Sequence, residues 1–370
     1  MEKFDNECQY LLHLIKCVLN DTQPEEKPAE LSFEKLMLIA RKHDVANIAY
    51  YGVEKLKNKP DDELNKKWAE ARDKAIIREF TQTYEFETLT QALVSEKIRH
   101  LCLKGIWLKD LYPQRDMRTM SDIDILVDDE NTGRIKDIMA SLGYEGVPDD
   151  DEDDDHHDAY RKKPIMLVEM HRQLFGNNGN VYFEILPDPW KQAYEDSPYV
   201  WKFNESWAFL YIFAHLEKHY SKQGTGIRSI MDIYVYLKHK EKELDWEYIY
   251  SELDKVGKSQ ICRDIIQLSN IWFGDAETSP KYEKMAEFIF GSGLYGNKMH
   301  SILNNYNRMS GKKYLLFRLF PPMSVMNKKY PVLKKAPVLL PVFWIVRMIS
   351  IPLFKSKNIK KEINFIKDNK

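Results

Sequence analysis

The order of apolar and polar residues divides the chain into helical flanks around a short stretch of strand patterning. Tyr10, Leu11, Leu12, Ile15, Val18 and Leu19 recur at three- and four-residue intervals, the spacing of one helix face, and Asn20-Asp21 with Pro24 and Pro28 ends that element. Ser32 stands at an N-cap position before a second helix that carries Leu36, Ile39, Ala40 and Val45. After Pro60 a long helical pattern runs from Asp61 to Ile98, with Trp68, Ala75, Ile76, Phe80 and Tyr84 expected on its buried side. The period then changes. Residues 99–103 and 121–127 read as strands separated by a short helix over 106–112; a helix from Asn131 to Leu142 closes at Gly143, and 166–171 forms a third strand. From Glu205 to about Phe290 helices return, with an apolar stripe at Phe209, Ile212, Phe213 and Leu216 and a new helix after the Gly224-Thr225-Gly226 turn. The pattern predicts an α+β fold, a small mixed sheet flanked by helical regions, divided as 1–97, 98–190, 191–310 and a C-terminal arm over 311–370.

The chemistry concentrates in the strand patterning. Ser121-Asp122-Ile123-Asp124-Ile125-Leu126-Val127 places two carboxylates one residue apart, and side chains with period 2 share a face. Held this close, two negative charges repel unless a cation neutralises them, and a divalent ion with hard oxygen ligands suits that task. An isolated D-x-D is also compatible with two solvated aspartates at a strand end. Met166-Leu167-Val168-Glu169-Met170-His171 adds a third carboxylate, Glu169, with His171 on the same face. His171 would touch substrate or orient Glu169. Arg118, with Arg115 before it, makes a basic approach to the D-x-D strand, and Arg118 also reads as an exposed turn arginine.

In this order the elements resemble the nucleotidyltransferase superfamily with the polymerase-beta-like fold. Leu103-Lys104-Gly105, Tyr112-Pro113, Arg118, Asp122-Ile123-Asp124-Ile125-Leu126-Val127 and Val168-Glu169-Met170-His171 resemble a family of bacterial proteins known mainly as uncharacterised nucleotidyltransferases. The resemblance continues into a later His215/His219/Arg228/Asp232 segment. It implies an NTP bound at Lys104, Gly105, Arg118 and Ser121, and Mg²⁺ or Mn²⁺ held by Asp122, Asp124 and Glu169 as the catalytic carboxylates. An acceptor would lie in a cleft near His171, His215, His219, Arg228 and Asp232. Lys104-Gly105 stands where the superfamily carries Gly-Gly or Gly-Ser, and the gap from Gly105 to Asp122 is longer than usual. His215 and His219 are four apart, as are Arg228 and Asp232, so the residues also admit an intrahelical Arg228–Asp232 pair or a zinc site.

Composition changes the picture at two places. Eight carboxylates in the ten positions 149–158, with His156-His157 among them, predict a solvated loop with a weak metal signal. Net charge is −2, but residues 312–370 hold 14 Lys/Arg against Glu362 and Asp368. That basic tail encloses an apolar run over 337–352, interrupted by Arg347 and three prolines. It reads as an arm packed on the helical domain, or as a segment that lies on anionic lipid through 328–361, rather than as a membrane span. No basic stripe flanks the core, so nucleic acid is not the expected acceptor; a small molecule, a sugar or a protein hydroxyl is. Four scattered cysteines without metal spacing and an acidic N-terminus predict a cytoplasmic protein, with membrane association through the tail as the variant reading. Two rival functions remain: an inactive nucleotidyltransferase-fold binding or scaffold protein, and a peripheral membrane protein acting on envelope or glycan precursors.

Overall fold

The computed structural model describes residues 4–147, 156–176, 180–222, 224–293, 320–323, 326, 330 and 332–346. Two compact units result, one of residues 1–217 with 226–294 and one of 218–225 with 295–370.

In the first unit, α1 (Asn6–Leu19), α2 (Phe33–Lys42), α3 (Ala46–Glu54) and the long α4 (Asp62–Ser95) precede the sheet. Their starts follow local chemistry: Asp5, Ser32 and Asp61 each accept a hydrogen bond from a backbone N–H of the first turn. Next come β1 (His100–Cys102), α5 (Gly105–Leu108), β2 (Ile123–Val127), α6 (Thr132–Ser141), β3 (Glu145–Val147), β4 (His157–Lys162) and β5 (Met166–His171). Gly143, at φ +81°, ends α6 in the left-handed region that glycine adopts without a Cβ clash. The short α7 (Tyr182–Ile185) leads to β6 (Ala193–Ser197) and β7 (Val200–Phe203). Helices α8 (Glu205–Lys222), α9 (Ile227–Lys240), α10 (Trp246–Lys255), α11 (Ser259–Phe273) and α12 (Pro280–Ser292) follow.

The strands form one seven-stranded mixed sheet in the order β3-β4-β5-β2-β1-β7-β6. At its centre β2 runs parallel to β5 and antiparallel to β1. Alternation splits β2 between two environments. Ile123, Ile125 and Val127 join Val168, Met170 and Tyr160 against Leu89 and Leu93 of α4 and Ile135 and Met139 of α6. Each such aliphatic side chain contributes about 1.5–3 kcal/mol on burial, so this face holds the register that presents Asp124 on the other.

Three sequence expectations change. Phe80 and Tyr84 are exposed, at 74% and 69%, while Glu79 and Gln82 of the same helix are buried. The reason is Lys109: it is 1% exposed and donates to both Glu79 and Gln82, so α4 turns polar groups inward to satisfy a buried ammonium. His156 and His157 are expected in a solvated loop; instead His157 opens β4, paired across to His171, and His156 before it is buried. Residues 148–155, the rest of that acidic run, lie outside those described. The sheet also continues past residue 190 through β6 and β7, which dock on β1.

In the second unit, Val332–Lys335 and 340–346 are helical, and Trp344 Nε1 donates to the Pro321 carbonyl at 2.8 Å. Val338, Val342, Ile345 and Val346 are exposed. The remainder of the arm, including most of its lysines, lies outside the described residues. Among the described residues no helix is long and apolar enough to cross a membrane.

Candidate active site

Parallel pairing of β2 with β5 sets Asp124 directly beside Glu169 on the face opposite the apolar core. β4 adds His157 opposite His171, so carboxylates and imidazoles from three adjacent strands share one surface. Asp124 is buried at 6% exposure, with Lys104 Nζ 2.8 Å from its Oδ2 and His171 Nε2 donating to its Oδ1 at 3.1 Å. His171 Nε2 also lies 3.3 Å from Glu169 Oε2. Asp124, Glu169 and His171 thus offer three potential ligand atoms within 4.8 Å of one another.

Charge in this site is balanced by protein cations. Burial works against ionisation of Asp124, but Lys104 and His171 outweigh it and hold the carboxyl well below the usual range. Burial likewise opposes charge on Lys104, and Asp124 overcomes it, so the ammonium persists at the end of β1. Asp122, one residue before β2, makes no hydrogen bond among the described residues. Its burial and then the charges of Asp124 and Glu169 push it up to about 6. Asp122 is outside the tight ligand cluster but inside its electrostatic field.

Lys104 Nζ donates to His215 Nε2 at 2.9 Å as well, so α8 reaches the carboxylates through this lysine. His219, one turn on, belongs to the second unit. Arg118 is buried and grips Asp232 of α9 with two parallel bonds, Nε to Oδ1 at 2.7 Å and Nη2 to Oδ2 at 2.8 Å. Tyr112 Oη donates to the same carboxylate at 2.8 Å. The intrahelical Arg228–Asp232 pair therefore does not form. Arg228 Nη1 donates to the Thr119 carbonyl at 2.9 Å and to Asp44 at 3.2 Å, because Asp232 faces the buried guanidinium of Arg118. Arg115 pairs with Glu79 and Asp110. At Gly105 a Cβ would meet Met120 Sδ at 2.8 Å, so the absence of a side chain there lets the β1–α5 turn pack on the Met120 segment. Ser121 is half-buried next to Asp122. A cavity of about 660 Å³ near β1 and β7, lined by Phe86, His100, Trp107 and Trp201 among others, includes none of the site carboxylates.

Sequence reasoning did not foresee Lys104 as the counter-ion of Asp124, nor His157 beside Glu169, whose Oε2 lies 3.9 Å from His157 Nε2. The His156-His157 pair was visible as a metal signal, but its partner His171 is set by strand register.

Fold and site define a mixed-sheet α+β protein that gathers carboxylates on one sheet face under a lysine and a histidine. The chain belongs to the family described as uncharacterised nucleotidyltransferase, whose model matches residues 29–274. Among curated proteins and among solved structures, nothing matches the chain.

Proposed function

We propose that the protein transfers a nucleotidyl group from an NTP to a hydroxyl-bearing acceptor, a small molecule, a sugar or a protein side chain, with Mg²⁺ or Mn²⁺ at the carboxylates. The observation that supports this reading most is the pairing of Asp124 with Glu169 across β2 and β5, with Asp122 two residues upstream. The donor set fits a hard divalent ion: oxygen ligands, one of them buried and already matched by a lysine, another with its pKa raised by burial and then by its negative neighbours. Asp124 and Glu169 would hold the ion with Asp122, and bound there it would offset charge on the phosphate oxygens. The acceptor oxygen attacks the α-phosphorus, its proton passes to a carboxylate, with Glu169 the candidate base, and pyrophosphate leaves with the electrons of the broken P–O bond. Lys104 is the cation nearest the carboxylates and would meet the phosphates. Arg118, engaged by Asp232, would act on phosphate only by leaving that pair, so its role in this reading is to hold the β1–β2 connection onto α9.

Titration of each NTP with Mg²⁺ and then Mn²⁺ tests the proposal, beside an Asp122→Asn/Asp124→Asn variant. Metal-dependent binding that the variant loses supports it. Equal binding by both proteins sinks it, and no binding by the wild type, with and without candidate acceptors, favours the scaffold reading.

A membrane-surface role for the arm is supported by a separate observation, the exposed Val338, Val342, Ile345 and Val346 in a basic segment. Sedimentation with anionic liposomes, with and without residues 312–370, tests it; equal pelleting disposes of the lipid role.

A further inference from the structure

Beside the carboxylates stands a second cluster of potential ligands, made only of imidazoles. One ring nitrogen from each of His156, His157 and His171 lies within 4.8 Å of the other two. His157 and His171 face each other across the β4–β5 ladder with rings stacked at 5.1 Å, and His156 packs edge-on against His157 at 4.7 Å between centroids. The Arg172 backbone N–H donates to the His156 carbonyl at 2.8 Å, which ties the residue before β4 to the end of β5. The site is thus built on paired backbone.

The hydrogen bonds of His171 assign its nitrogens. Nε2 donates to Asp124, whose ionised carboxylate can only accept, while Nδ1 is buried and makes no hydrogen bond. His171 is 5% exposed, so that nitrogen has no access to bulk water to compensate it. Nδ1 of His157 is buried and unbonded in the same way. An imidazole that gives one N–H to a carboxylate and keeps its other nitrogen buried and unbonded, beside two further imidazoles, has the arrangement of a metal ligand oriented by a carboxylate.

We propose that His156, His157 and His171 form a binding site for a borderline transition-metal ion such as Zn²⁺ or Co²⁺, distinct from the oxygen site that takes Mg²⁺. Imidazole nitrogen suits such ions and not Mg²⁺, and three ligands leave a tetrahedral ion one open position. Zn–N bonds of about 2.0–2.1 Å would require the stacked rings of His157 and His171 to turn, and an ion held by Nδ1 of His171 would take the place of any proton there. His171 then links the two sites, since its other nitrogen is bonded to Asp124. The inference does not depend on nucleotidyl transfer, because it rests on the histidines alone.

Co²⁺ titration of the untagged full-length chain, followed by visible absorption in excess Mg²⁺, is the test. Expected is about one equivalent bound with the intense bands of a tetrahedral nitrogen-ligated ion. A His156→Gln/His157→Gln variant with wild-type circular dichroism should lose those bands and bind at least tenfold more weakly. A pale octahedral spectrum that Mg²⁺ displaces, or unchanged bands in the folded variant, overturns the proposal. Should the variant not fold, the wild type decides. Zn²⁺-induced shifts of three histidine ring resonances support the site, and their absence refutes it. NTP binding with Mg²⁺, measured in parallel, separates failure of this site from failure of the transferase reading.

Discussion

His43 closes α2 with 0% exposure and makes stability depend on pH in a calculable way. Its Nε2–H donates to the Phe290 carbonyl at 3.3 Å, and its Nδ1 accepts from the Ile227 N–H at 3.4 Å. Both nitrogens are therefore committed in one neutral tautomer, and a proton on Nδ1 would set two donors against each other. Burial, with Lys42 adding to it, lowers the pKa from 6.5 to about 4. The unfolded chain takes up a proton near 6.5 and the folded one only near 4, so between these values the unfolded state binds more protons and stability falls as pH falls. The full effect is roughly 3 kcal/mol, of which roughly 2.5 kcal/mol is lost between about pH 7 and about pH 4.5. At about 2 °C per kcal/mol for a chain of this size, that is a Tm drop of about 5 °C. We predict that His43→Gln, which cannot charge, lacks this component. Thermal melts of both proteins at the two pH values remove the shared titration of surface carboxylates by difference. Parallel Tm–pH curves for wild type and variant would refute the argument.

Other perturbations probe the buried ion pairs. Asp232→Ala should cost about 3–5 kcal/mol in urea denaturation by stranding the Arg118 guanidinium, whereas Arg118→Met/Asp232→Leu should recover most of it; additive losses would contradict the pairing. Lys104→Gln removes the resident cation from Asp124, so Mn²⁺ affinity should rise about tenfold or more while NTP affinity falls; an unchanged Mn²⁺ affinity would show that the lysine and the ion do not compete. On α4, Phe80→Ser and Tyr84→Ser should change stability by no more than about 0.5 kcal/mol, and Lys109→Met should cost about 1–3 kcal/mol; the reverse order would mean that the helix is turned the other way.

The sequence by itself determined the helical flanks, the strands β1, β2 and β5, and the pair of aspartates. Helix starts at Ser32 and Asp61, the stop at Gly143 and the strand at 166–171 are local, set by caps, a left-handed glycine and a two-residue period within a few positions of each other. Asp122 and Asp124 were legible for the same reason. Tertiary structure decided the partners. Glu169 meets Asp124, and His157 meets His171, only through strand register. Lys104 reaches His215, and Arg118 reaches Asp232, across more than a hundred residues. Periodicity could not orient α4, because a buried Lys109 reverses the usual preference and draws Glu79 inward. A charge taken out of water demands its counter-charge wherever the chain supplies one, and that demand has no period to read.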